Sequence, residues 1–124
     1  MSDFKISNFG ATVTATSPAG SADVIYTVPA RHHTEIKYMA VSNTDALAIE
    51  ATVELYDSKS GSYFSLCKNL HLAGSGVDGR RDMIVGSGEE LHLNSGDKIV
   101  ASTNSTGDLD ICISAKEYYR DSTR

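Results

Sequence analysis

The string GSGVDG, Gly74 to Gly79, spells G-x-G-x-x-G, and an acid, Asp97, follows about 20 residues later. In a dinucleotide-binding unit such glycines turn the chain tightly and let the backbone approach a pyrophosphate, while the acid holds a ribose. That chemistry needs a helix opening on the third glycine. The segment that follows, RRDMIVGSGEELHLNSGDK, is interrupted by Gly86, Gly88 and Gly96, so no crossover helix can form there. The spacing predicts a loop between two antiparallel strands, with Asp97 in a Gly-Asp turn that opens the next strand. Arg80 and Arg81 make this loop locally basic, which suits a carboxylate-rich protein neighbour.

Other potential donors are scattered. His32 and His33 are adjacent, so in an extended segment they point to opposite sides and cannot share one metal. His71 and His92 each lie between two leucines; in neighbouring strands of the right register they would meet near Asp108 or Asp110 and imitate a two-histidine, one-carboxylate site. An enzyme reading of the chain, a small cupin-like one, would rest on those residues. The alternation places both histidines opposite the leucines, where solvent exposure or an interface accounts for them. Asp108-Leu109-Asp110 lacks the glycine and glutamate of a calcium loop. No G-x-S-x-G elbow is present, and Cys67 and Cys112 are too few and too far apart for a metal knuckle or a disulfide framework. The expectation is a protein that is not an enzyme, with no catalytic residues, no cofactor and no metal, and with two free thiols.

The elements that would position these side chains follow period two. In IEATVELYD, Ala51, Val53 and Leu55 share a face opposite Thr52, Glu54 and Tyr56. LDICISAKE sets Leu109, Ile111, Ile113 and Ala115 against Asp110, Cys112, Ser114 and Lys116. SYFSLCKNLHL alternates through Phe64, Leu66, Leu70 and Leu72 with Lys68 interrupting the apolar face, and DKIVAST sets Ile99 and Ala101 against Val100 and Ser102. HTEIKYMAVSN is apolar on both faces in its middle, as a covered central strand would be. Turn signals such as SPAGSAD, SNTDA, DSKSGS, LNSGDK and NSTGD separate these runs at the rhythm of a sandwich or small barrel. No window carries convincing helical spacing. The expected fold is an all-β antiparallel sandwich with little or no helix.

With 124 residues, the chain is long enough for one core. It reads as a single domain, with residues 1–9 an N-terminal arm or an edge strand, 10–118 the sandwich and 119–124 a polar tail. Eleven basic against sixteen acidic residues give a formal charge of −5, which repels nucleic acid and anionic membranes. No apolar run is long enough to span a bilayer, and the N-terminus lacks the apolar region of a secretion signal. Neither nucleic acid nor membrane is therefore an expected partner.

The run from VIYTVPARHHTEIKYMAVSN through ELHLNSGDKIVASTNSTGDLDICISAKEY, about Val24 to Tyr118, resembles small virion proteins of tailed phages. In that class a T-V-P-A start leads to a strand ending in A/S-N-T/S, an alternating V-x-L-x-D strand follows, and an L-x-x-G-D turn opens the last hairpin. Here Arg31 follows Pro-Ala where glycine is more usual. The resemblance implies a jelly-roll-like sandwich acting as a head decoration or cement protein, or as a tail, collar or fibre-attachment adaptor that recognises host glycans. Expected partners are the major capsid protein or other virion proteins, and further copies of the chain, as in a trimer. The expected location is the outer surface of the head, after synthesis in the host cytoplasm. Aromatic anchors favour interfaces, so Phe4, Ile6, Phe9, Tyr118 and Tyr119, with Arg80 and Arg81, are the candidate assembly residues. Tyr38, Tyr56 and Tyr63 are the candidate platform for a glycan.

Overall fold

The computed structural model describes residues 4–74 and 81–119. Nine strands run through it: β1 (Phe4–Val13), β2 (Asp23–Thr27), β3 (His32–Asn43), β4 (Ile49–Asp57), β5 (Ser62–Leu72), β6 (Arg81–Val85), β7 (Leu91–Asn94), β8 (Lys98–Thr103) and β9 (Leu109–Tyr119). Among the described residues the helical content is one 3-10 turn, Ala19–Ser21. Among these residues no helix is long and apolar enough to cross a membrane.

All the strand pairs are antiparallel and form two sheets. One has the order β1-β9-β3-β6, with β7 also paired to β3; the other has the order β2-β8-β4-β5. β6 and β7 lie end to end along the same edge of β3, β6 opposite Met39 to Ser42 and β7 opposite His33 to Ile36. The pairs β4·β5, β3·β6/β7, β2·β8 and β1·β9 are nested hairpins of one long ribbon that folds over itself. This is the jelly-roll winding of an antiparallel β-sandwich.

Alternation explains which faces meet. Ile111, Ile113 and Ala115 of β9, Ile36 and Val41 of β3, and Val53, Ile99 and Ala101 of the opposite sheet are all buried in one cluster. Each large aliphatic side chain removed from water there contributes about 1.5–3 kcal/mol. β1 is the edge strand of its sheet, paired to β9 from Phe4↔Tyr118 to Val13↔Leu109.

Lys68 does not interrupt the core. Between the pairs Ala51↔Leu70 and Val53↔Cys67, the two residues Lys68 and Asn69 oppose Thr52 alone, and a second register shift follows before Glu54↔Ser65. These two bulges turn Cys67 inward and leave Lys68 exposed on the outer face. Asn69 takes a positive φ of 50°, and its backbone N–H donates to the Thr52 hydroxyl. Burial pushes the Cys67 thiol up from its ordinary value, and both cysteines are free.

Gly74, the first glycine of the string, serves packing. A Cβ on Gly74 would lie 2.0 Å from the Ala46 carbonyl oxygen, so the backbone of the β3–β4 connection occupies that space; Gly76, Gly79 and Arg80 lie outside the described residues. Asp97 is buried in the turn between β7 and β8, after Gly96 at φ 86°. Its carboxylate accepts from the Asn94 N–H at 2.9 Å and from the Ser58 N–H and hydroxyl at 3.0 Å each, which leaves it no ribose to hold.

Asp23 fastens the crossing from the first sheet to the second. It accepts from the Thr14 N–H at 2.6 Å, the Thr14 hydroxyl at 3.0 Å and the Ala15 N–H at 3.2 Å. The Thr14 backbone bond leads in holding its carboxyl below the ordinary value of 3.8. A depressed folded-state value contributes stability above the unfolded one, and that contribution is lost as pH falls through the lowered folded value. Urea unfolding should therefore show Asp23→Ala less stable than the parent at pH 7, with the gap closing below about pH 4. A gap that persists unchanged in acid would show that the carboxylate charge is not what matters.

Candidate functional site

The chemistry-bearing side chains gather on the outer face of the five-stranded sheet. Thr34 and Ile36 of β3 and Leu93 of β7 are fully buried, so period two turns His33, Glu35, Lys37 and His92 outward. The register sets Glu35 directly opposite His92 and pairs His33 with Asn94 on one side and Tyr118 on the other. His33 Nε2 lies 3.2 Å from His92 Nδ1, and His92 Nδ1 lies 4.0 Å from Glu35 Oε2. The remaining His92 nitrogen, Nε2, faces Glu90 Oε1 at 3.2 Å. Glu35 Oε1 accepts from the Tyr118 hydroxyl at 3.2 Å and pairs with the Lys37 ammonium at 3.1 Å; Lys37 also bonds Glu90.

Partial burial pushes the Glu35 carboxyl up, but Lys37, Tyr118 and His92 outweigh it and hold the group below the ordinary carboxylate value. The Lys37 contact likewise lowers Glu90, and the two carboxylates together raise Lys37. Burial, followed by the charge of Glu35, raises the Tyr118 hydroxyl. The outcome is a fixed polar cluster with two imidazole nitrogens and one carboxylate oxygen turned toward one another. Among the described residues, those three donors are in a position to hold a metal ion.

Next to this cluster lies an apolar row. Phe4 and Ile6 of β1 are 51% and 63% exposed. The Phe4 ring packs at a tilt against Tyr118, centroids 5.6 Å apart, and the Lys116 ammonium sits 5.1 Å above the Phe4 centroid. The structure thus joins Phe4, Ile6 and Tyr118 on one face. Phe9 has the opposite parity: it packs against the core with its ring 5.2 Å from Tyr26. Tyr119 lies at the strand end, half exposed, in an edge-to-face contact with His32. Arg81 is exposed opposite Ser42, nine positions along β3 from His33 and therefore about 30 Å away.

His71 does not approach His92. It sits on β5 of the other sheet, opposite Glu50. Asp108 and Asp110 bond Ser105 and Thr12, respectively, and do not converge on a shared site. The histidine that meets His92 is His33, which the opposite orientation of His32 and His33 had set aside as a pair. The signal was present as H-x-E-x-K at residues 33–37 and E-x-H at 90–92, two runs that each put charged groups on one strand face.

On the outer face of the other sheet, Thr52, Glu54, Ser65, Lys68, Asn69 and Ser102 line a polar trough. Tyr56 and Tyr63 pack at a tilt with centroids 4.9 Å apart on the same sheet, with the Lys98 ammonium 5.2 Å above the Tyr56 ring.

Fold and faces together define a small jelly-roll β-sandwich with one sheet face both aromatic and histidine-bearing. No family model matches the sequence, and none of the curated proteins does. Among solved structures, the chain is similar to one in the structure of infectious bursal disease virus Gt strain, at 12% identity and TM-score 0.35. The similarity covers 96% of this chain and 38% of that one, so this chain spans well under half of that protein's length.

Proposed function

We propose that the protein is a non-enzymatic structural component of a bacteriophage virion, one that decorates and stabilises the head by binding the major capsid protein lattice. The observation that carries this reading is the apolar row of Phe4, Ile6 and Tyr118, held on the face of a rigid sandwich. It agrees with the strand-and-turn pattern that resembles phage virion proteins. Aromatic side chains are efficient interface anchors. On a repeating lattice, modest contacts suffice because multivalency multiplies them, and self-association of the decorating chain adds to the effect.

Ile6→Asp tests the face. The site is exposed, so its stability should change by no more than about 0.5 kcal/mol, while cosedimentation with capsid shells should be lost. Retained cosedimentation would remove this face from the interface. Quantitative mass spectrometry of purified virions tests the assignment itself. A copy number in simple ratio to the major shell protein is the expected result.

A second reading, a tail, collar or fibre-attachment adaptor, is favoured by the polar trough and the Tyr56–Tyr63 pair, whose hydroxyl, amide and aromatic groups suit a glycan. A few copies per particle, with glycan binding lost on Tyr56→Ala, would decide for that reading.

A further inference from the structure

We propose that His33, His92 and Glu35 form a site for one divalent first-row transition ion of the zinc type on the outer face of the five-stranded sheet. The donor spacing comes first. Zinc bonds imidazole nitrogen at about 2.0–2.1 Å with tetrahedral angles, which places two ligating nitrogens about 3.4 Å apart; His33 Nε2 and His92 Nδ1 are separated by 3.2 Å. Glu35 Oε2 is 4.0 Å from His92 Nδ1, and a small rotation of its side chain closes that edge. All three donor atoms lie within 4.8 Å of one another.

The backbone already fixes these positions. Glu35 and His92 are a direct cross-strand pair, and His33 is two residues along the same face, so no loop has to order before an ion can bind.

The surrounding groups orient the donors. Glu90 Oε1 at His92 Nε2 keeps the ring proton on that nitrogen and presents the Nδ1 lone pair to the site. Lys37 and Tyr118 both engage Glu35 Oε1, leaving Oε2 turned to the histidines. With neutral imidazoles, Glu35, Glu90 and Lys37 sum to a charge of −1, and Lys37 keeps Glu90 as a partner when Glu35 turns to the ion.

One joint is weaker. Ligation through Nε2 places the His33 proton on Nδ1, a buried atom with no hydrogen-bond partner among the described residues. Outer partners of this kind are worth about 10–100-fold in affinity, so this site should bind less tightly than one in which both histidines are supported.

Two nitrogens and one oxygen select zinc, cobalt or nickel over magnesium or calcium, which take oxygen ligands. The fourth position opens outward beside His92, which is half exposed. Water fills it, or a donor from a molecule packed on this face. This inference does not depend on the virion reading.

The test uses the full chain after treatment with a chelator. Titration with Zn²⁺, followed by calorimetry, should give one ion per chain, and Co²⁺ should give the intense visible bands of a four-coordinate ion. His92→Ala, at an exposed position, should keep the parent melting temperature and lose at least 100-fold in Zn²⁺ affinity. Glu90→Ala, which removes a positioning residue, should retain the stoichiometry and lose about 10–100-fold. Absence of Co²⁺ bands in the parent chain overturns the proposal. So does Zn²⁺ binding that is unchanged in His92→Ala, which would place the ion elsewhere on the chain. Should His92→Ala fail to fold, His92→Gln and Glu35→Gln carry the same expectation.

Discussion

Ile111→Asp is expected to yield no folded protein, while Asp110→Asn, one residue away, is expected to be almost silent. Ile111 is 1% exposed and lies in register between Ala11 of β1 and Val41 of β3, at the centre of its sheet. Truncating such a side chain costs about 2–5 kcal/mol. A carboxylate adds the cost of a buried unpaired charge, or of the proton needed to neutralise it. The sum reaches the whole stability of an ordinary domain, about 5–15 kcal/mol. Asp110 faces solvent and accepts a 2.8 Å bond from the Thr12 hydroxyl, a role that the Asn carbonyl can keep. Its change should stay within about 0.5 kcal/mol. Circular dichroism and urea unfolding of the two variants decide the matter, and equal tolerance at both positions would overturn the assignment of inner and outer faces to β9.

Asn43→Ala should be the costliest polar truncation. Asn43 is 3% exposed at the end of β3. Its amide nitrogen lies within hydrogen-bonding distance of the carbonyls of Leu47 (2.9 Å), Leu72 (3.2 Å) and Ala73 (2.9 Å), and its oxygen accepts from the Asp45 N–H at 2.8 Å. One side chain thus ties the end of β3 to the entry of β4 and the exit of β5, joining the two sheets where the chain crosses between them. Alanine strands these backbone groups, each at about 1–3 kcal/mol, for a loss of about 3 kcal/mol and roughly 10 °C in Tm. Asn43→Asp keeps the acceptor and removes the donors, so it should be destabilised as well. A loss under about 1 kcal/mol for Asn43→Ala would show that water reaches the carbonyls.

β9 was readable from sequence because Leu109, Ile111, Ile113 and Ala115 all face one core while Asp110 and Cys112 face solvent. A strand half covered in this way writes its burial directly into its residues. β5 is less legible. Its even-numbered apolar positions suggested one continuous face broken by Lys68, whereas two bulges reverse the parity between Cys67 and Asn69 and then restore it. Two shifts of one residue cancel in the pattern, so the irregularity leaves no mark beyond the misplaced lysine. Proximity in the chain groups Phe9 with Phe4 and Ile6, but its parity is odd where theirs is even, and it turns to the core.

The β-strand character of the described residues, their near absence of helix, and the strand rather than helix that follows the glycine string at Arg81–Val85 all follow from local chemistry. Period-two alternation and glycine interruptions act over a few residues and need no partner to be read. The meeting of His33 with His92, 59 residues apart, and of Phe4 with Tyr118, does not follow in that way. Local alternation assigns each side chain to a face of its own strand. Which strands become neighbours, and in which register, depends on how the nested ribbon folds into two sheets. That choice is made by the joint burial of inward faces drawn from the whole chain. The histidine cluster and the aromatic row are therefore products of topology, assembled on the outer face by packing that takes place on the inner one.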